Sequence, residues 1–165
     1  MMGTRSGDVD PSLHIHLKRQ LGMSLEDIDK MLNSESGLLG ISGLSNDLRT
    51  VEQAANEGHQ EALLAIEMFS YRVGKYLAAL SCALPEFTGI IFTGGIGENS
   101  ATTRARILNV MRHFGIQFDT DKNKALVGGS EGSFQTADSS IELWVIPTDE
   151  ECRIAQETRQ ALGLK

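Results

Sequence analysis

The segment IIFTGGIGENSATTR, residues 90–104, decides the fold. A continuous apolar run stops on Gly94 and Gly95, a third glycine follows at 97, and polar residues then open a helix. A short unbroken apolar run bounded by turn residues reads as a strand buried on both faces. The segment is therefore a buried strand that turns on glycines into a helix, the basic unit of an α/β protein. Glycine at such a turn admits backbone conformations closed to other residues and lets a ligand approach the main chain. The unpaired N–H groups at a helix start favour phosphate. A nucleotide-phosphate loop and an empty structural turn both satisfy this pattern.

A dinucleotide site is a second ligand reading. Gly95-x-Gly97-x-x-Ser100 departs from G-x-G-x-x-G/A at its last position, and Asp119 lies 24 residues after Gly95, near where a ribose-binding acid belongs. Ser100 in place of Gly or Ala weakens it. So does the strand's position in mid-chain, after a long helix.

Outward from this turn the pattern is helical on the N-terminal side and mixed on the C-terminal side. Helices are expected over 12–21 and, from the capping box Ser24-x-x-Asp27, over about 25–34. SESGLLGISGLSND reads as a turn-rich connection, and LRTVEQAANEG as a short helix stopped by Gly58. Ile66, Phe69, Val73, Tyr76, Leu80 and Leu84 recur at spacings of three and four, giving a long amphipathic helix over 59–84. Gly74 in its middle costs about 1 kcal/mol relative to alanine, for which a close helix or strand contact would be a sufficient reason. Beyond the glycine turn, a helix over 99–113, a strand at 116–118, a polar loop with a short strand near Phe134, a strand in IELWVIP and a final helix behind Asp149, Glu150 and Glu151 are expected.

Bulk properties narrow the function classes. With 165 residues, 41% hydrophobic and 22% charged, a packed core is feasible. A net charge of −7 argues against a nucleic-acid surface. No run reaches the roughly 18 apolar residues of a membrane span, so no membrane partner is expected. Cys82 and Cys152 have no metal-ligand spacing and suit free thiols in a reducing compartment; with no signal-peptide pattern, the cytoplasm is the default. The four histidines show no ligand spacing.

Three further clusters carry polar chemistry. Thr4-Arg5-Ser6-Gly7-Asp8 holds an arginine whose fork of donors suits a phosphoryl group, or simply solvent. Asp47-Leu48-Arg49 suits a ligand contact or a helix cap with a surface arginine. Thr148-Asp149-Glu150-Glu151 follows a buried strand, where α/β sites gather, and suits Mg²⁺ or helix capping.

MGTRSGDVDP, GISGLSNDLR, FTGGIGENS with Arg104 beyond it, and VIPTDEE, in this order and at these separations, resemble the C-terminal part of the acetate kinase family over about residues 1–160. The resemblance implies a ribonuclease-H-like α/β domain of the actin/hexokinase/Hsp70 superfamily, in which ATP lies in a cleft between two such domains. It implies ATP and ADP with Mg²⁺, acetate or another short-chain acid as acceptor, direct in-line transfer giving acetyl phosphate, and a homodimer. Arg5 matches the arginine that stabilises the transferring phosphoryl group. Asp47, Leu48 and Arg49 match an adenosine-contacting D-F-R segment, with leucine replacing phenylalanine. Gly95, Ile96, Gly97, Glu98 and Asn99 match the G-I-G-E-N segment that meets the nucleotide phosphates. Glu150 matches the Mg²⁺-linked glutamate of P-T-N-E-E, with Asp149 in place of asparagine. The family's other substrate and phosphate motifs lie upstream of MMGTRSGD and do not occur here. The expectation is one partial domain over 1–165, a C-terminal nucleotide-binding half without appreciable kinase activity alone, exposing a strand edge or apolar face. A propionate kinase, or a non-catalytic nucleotide-binding or dimerisation module, stays open beside it.

Overall fold

A computed structural model describes residues 1–163. Its contacts divide the chain into two units, Met1–Leu84 with Arg106–Met111, and Pro85–Ala105 with the chain from Arg112 onward.

The first unit is helical. α1 (Ser12–Leu21) ends on Gly22 and α2 (Leu25–Ser34) begins at the full capping box: Ser24 Oγ accepts from the Asp27 N–H and the Asp27 carboxylate accepts from the Ser24 N–H. Leu17, Ile28 and Leu32 form their shared core, with Val9, Leu13, Met23 and Met31 packed against it. α3 (Gly37–Ser42) occupies the stretch expected as a turn-rich connection. Gly37 lets it form. The residue has φ +66°, and a Cβ there would stand 2.2 Å from the Met2 carbonyl oxygen. α4 (Leu48–Asn56) and α5 (Gln60–Ser81) follow, and α5 packs on both α3 and α4.

The apolar stripe of α5 is buried only in its first half. Ala62, Ala65 and Ile66 are in the core, whereas Tyr76, Leu80 and Leu84, on the same expected face, are exposed at 44%, 62% and 54%. Gly74 is buried where α5 meets the last turn of α7, and a Cβ there would come within 2.7 Å of Val110 Cβ.

The second unit is built on a three-stranded sheet of order β1 (Gly89–Phe92), β3 (Glu142–Val145), β2 (Gly132–Ser133). β1 and β3 are parallel, Ile90 opposite Leu143 and Phe92 opposite Val145; β2 is antiparallel to β3. Parallel neighbours require a crossover, here the whole segment from 93 to 141. Ile90, Phe92, Ile116, Phe134, Ile141, Leu143 and Val145 form the core, with Phe134 in ring contact with both Phe92 and Phe118.

Several sequence expectations change here. β1 is buried on one face only: Gly89 and Ile91 are exposed, so the apolar run is not a doubly covered strand among the described residues. The glycine turn is itself a short helix, α6 (Gly94–Asn99), followed by α7 (Ala101–Val110) and a 3-10 turn at Arg112–Phe114. The expected strand at 116–118 reduces to one bridge, Phe118 with Gln135. The polar stretch after it holds α8 (Thr120–Ala125), capped by Asp119, whose carboxylate accepts from the N–H groups of Asp121 and Lys122. The acid on which the dinucleotide reading leaned is thus an N-cap, with its Oδ1 taken by two main-chain donors. α9 (Glu150–Ala161) begins as expected and buries none of its residues.

Candidate functional site

The three glycines of the turn serve three different purposes. Gly94 has φ +71°, a conformation L side chains rarely adopt, and it lets β1 turn into α6. Gly97 packs on the strand behind it, its position for a Cβ lying 3.3 Å from the Phe92 carbonyl carbon. Gly95 has neither constraint, since a Cβ there would meet nothing within 4 Å. The fold therefore leaves Gly95 unexplained, and it opens onto a cleft.

That cleft, about 370 Å³, is lined by Gly94, Gly95, Glu98, Thr148, Asp149, Glu150 and Glu151. Parallel pairing of β1 with β3 brings these two segments together: each leaves the carboxyl end of its strand on the same side of the sheet. Crevices outside the carboxyl ends of parallel strands are where α/β folds bind ligands. The lining carries four carboxylates and no basic side chain. A polyphosphate could settle there only on main-chain N–H groups, with a cation to offset the acids.

Two side chains of the turn are already engaged within the protein. Glu98 Oε1 accepts from the Gly94 N–H (2.7 Å), the Thr148 N–H (2.9 Å) and the Thr148 hydroxyl (3.0 Å). These bonds, the Thr148 N–H first, hold the Glu98 carboxyl below its ordinary range. Asn99 donates to the Gly95 carbonyl (3.0 Å) and accepts from the Gly128 N–H (3.1 Å). Glu98 and Asn99 thus shape the turn with their side chains.

Beneath the turn lies a residue the sequence reading left without a role. Arg104 is fully buried. Its Nε donates to Asn123 Oδ1 (2.8 Å), Nη1 to the carbonyls of Gly97 (2.7 Å) and Glu98 (3.1 Å), and Nη2 to those of Asn123 (2.6 Å) and Leu126 (2.8 Å). The guanidinium has five N–H donors, and five neutral acceptors take them. Four of the acceptors are carbonyls from the last turns of α6 and α8, or just beyond, groups a helix leaves unpaired. The negative ends of two helix dipoles thus stand in for a carboxylate. Burial lowers the Arg104 pKa. Its place at the end of the glycine motif, FTGGIGENS with Arg104 beyond it, was the signal in the sequence that could have found it.

The other sequence-predicted residues lie in the first unit. Arg5 is exposed on a loop stitched to its neighbours by bonds from the Ser6 N–H to the Leu32 carbonyl (2.8 Å), from the Ser36 N–H to the Thr4 carbonyl (2.8 Å) and from Thr4 Oγ1 to the Asn33 carbonyl (3.0 Å). Asp47 caps α4 through the Arg49 N–H and binds the Arg49 guanidinium at 2.6 Å, which lowers the Asp47 pKa. Leu48 is 5% exposed, so its side chain serves the core and presents no contact surface. Within that segment, Asp47 and Arg49 face solvent.

Among the described residues no group of three or more His, Cys, Asp or Glu side chains is arranged to hold a metal ion, and no helix is long and apolar enough to cross a membrane. A protein cage for a metal is thus absent there. The donor set still fits Mg²⁺ in its usual mode at phosphates, where one or two carboxylates, waters and the phosphates themselves complete the shell.

A parallel strand pair with a glycine turn at one exit and an acid-rich turn at the other makes an α/β fold with a cleft at the strand ends, and the solved kinases it superposes on put that fold in the ribonuclease-H-like class. The chain belongs to the acetokinase family, whose model matches residues 1–156. It is 58% identical over 158 residues to an acetate kinase of Pseudomonas aeruginosa, covering 96% of this chain and 40% of that protein. It is 49% identical over 163 residues to an acetate kinase of Deinococcus radiodurans, covering 99% and 41%. Among solved structures, Porphyromonas gingivalis acetate kinase superposes with a TM-score of 0.88 at 41% identity, covering 98% of this chain and 40% of that one. A propionate kinase from Francisella tularensis superposes with a TM-score of 0.87 at 44% identity, covering 94% and 39%. The chain spans about 40% of the length of the curated relatives it matches.

Proposed function

We propose that this chain is the nucleotide-binding part of an ATP:acetate phosphotransferase. The observation that carries this reading is the cleft that joins Gly95, free of any internal reason to be glycine, to the acidic exit of β3. In it the main chain of Gly95–Asn99 receives the nucleotide phosphates, and no side chain at 95 stands in the way. Arg49 and Asp47 meet the adenosine, with Leu48 fixing the start of α4 beneath them. Arg5 supplies fixed positive charge to the transferring phosphoryl group. In-line phosphoryl transfer needs little covalent chemistry from the protein; it needs alignment and charge stabilisation. Glu150 would hold Mg²⁺, which when bound offsets phosphate charge. Cys82 and Cys152 are exposed free thiols, in keeping with a cytoplasmic protein.

Calorimetry with ATP and Mg²⁺, and with NAD as control, tests the reading. ATP binding that is lost in Gly95→Val supports it. Binding of NAD in place of ATP, or of neither, refutes it. The likeness to a propionate kinase at 44% identity favours a second acceptor, propionate, for the whole enzyme. Turnover of the longer protein with each acid separates the two.

A further inference from the structure

Glu98 lies on the proposed phosphate-binding turn, yet one of its oxygens is occupied by three donors from the protein itself. One is the first N–H of α6, at Gly94; the other two come from Thr148, 50 residues away at the exit of β3. Both walls of the cleft are therefore pinned to one group. The two turns leave the carboxyl ends of β1 and β3, where the last backbone bond across the pair runs from the Ile146 N–H to the Phe92 carbonyl (3.0 Å), and beyond it Glu98 ties them. Three donors converging on one acceptor oxygen make a specific joint, set by where that oxygen stands.

We propose that Glu98 is a positioning residue that sets the width of the cleft by tying the glycine turn to the 148–151 segment, and that it does not contact the nucleotide. It acts through Thr148 and Gly94, holding the main chain of Gly95 and the Glu150 carboxylate in register. The functional half of the claim rests on the nucleotide reading above; the joint itself does not. With the Gly94 N–H consumed by Glu98, a phosphate is left to the N–H groups that follow it in α6. What identifies a positioning role is that an uncharged acceptor of the same shape can fill it. A glutamine at 98 can receive the same three bonds through its amide oxygen, whereas a group needed for its charge at the ligand cannot be replaced so.

Amide hydrogen exchange and ATP calorimetry on the whole chain, in Glu98→Gln, Glu98→Ala and Thr148→Val, test this together. In Glu98→Ala the Gly94 and Thr148 amides are expected to exchange at least about tenfold faster, since local opening sets exchange rates. ATP affinity in the presence of Mg²⁺ is expected to fall about tenfold, the loss of one hydrogen bond. Glu98→Gln restores both to within about threefold, and Thr148→Val, which removes one donor of the three, gives a smaller shift than alanine at 98. Unchanged exchange at both amides in Glu98→Ala overturns the joint. Normal exchange in Glu98→Gln with affinity as poor as in Glu98→Ala also overturns the proposal, because the charge then acts on the ligand directly. A wild-type chain that binds no ATP sinks the nucleotide reading and leaves the exchange data to decide the joint.

Discussion

Gly95 offers a sharp test at the scale of one residue, because stability and binding should move in opposite directions there. Its backbone lies outside the left-handed region, it sits in a helix, and a methyl group would meet open space. Gly95→Ala is therefore expected to raise stability by about 0.4–1 kcal/mol, through reduced freedom of the unfolded chain, while weakening ATP binding. Paired denaturation and calorimetry check it; a destabilised variant would mean the site has a structural constraint not visible in its neighbours. Gly94→Ala is expected to lose stability through its φ of +71°. Acid behaviour is also set by single groups. Asp27, Asp47, Glu98 and Asp119 all have lowered pKa values, through Ser24, the Arg49 side chain, the Thr148 N–H and the Lys122 N–H respectively. Each binds its proton less readily folded than unfolded, so its contribution is complete above the ordinary carboxylate pKa of about 4 and is lost as pH falls through the folded value. Urea midpoints are expected to hold from pH 7 to 5.5 and to drop below about pH 4.5; a midpoint that rises on acidification contradicts the assignment.

At the scale of elements, the joint that matters is the one Arg104 makes between α6 and α8. Arg104→Met keeps much of the volume but leaves five buried or half-buried acceptors without donors, and it is expected to cost about 3–5 kcal/mol. Arg104→Lys, with three donors for five acceptors, should recover part of this. Thermal denaturation of the two variants decides; a loss below 1 kcal/mol in Arg104→Met would show that water replaces the guanidinium at no great cost. The same elements show what the sequence could and could not reveal. α2 and α5 were legible because a capping box and a sustained apolar period are local signals. α3, α6 and α8 were not, because each is six residues long and none carries that period. In α8 the one buried residue is Asn123, which faces Arg104, a partner 19 residues away. Ile90, Ile91 and Phe92 are all apolar and so suggest a strand covered on both faces, yet Ile91 is 60% exposed. The residue types of β1 carry no information about which face the chain covers. The glycine turn and the acids of 148–151 were each legible as motifs, and their pairing across one cleft was not, since it depends on the register of two strands more than 50 residues apart.

For the molecule as a whole, the exposed apolar surface has a consequence for assembly. Tyr76 and Leu80 on the outer half of α5, Leu84 just beyond its end, Ile91 on β1 and Ile154 on α9 all lie between 44% and 64% exposed. Among the described residues β1 pairs along one edge only, and open strand edges and exposed apolar side chains favour association. Copies of this chain are expected to dimerise or associate further with rising concentration, which light scattering behind size exclusion would show; a strict monomer over a wide concentration range refutes it. The chain also spans only about 40% of its curated relatives, which sets what activity to expect. The cleft at Gly95 has main-chain donors on one side and four carboxylates around it, and no basic side chain lines it. In-line transfer develops negative charge on the phosphoryl oxygens, and removing a single stabilising donor from an active site commonly costs about 10²–10³ in rate. Within this chain Arg5 is the one group assigned to that task. A coupled assay for acetyl phosphate formation is therefore expected to give turnover at least about a thousandfold below that of a relative of full length. Turnover near the full-length rate would show that these 165 residues hold a complete transfer site, and the assignment of Arg5 and Glu150 as parts of a larger one would fall with it.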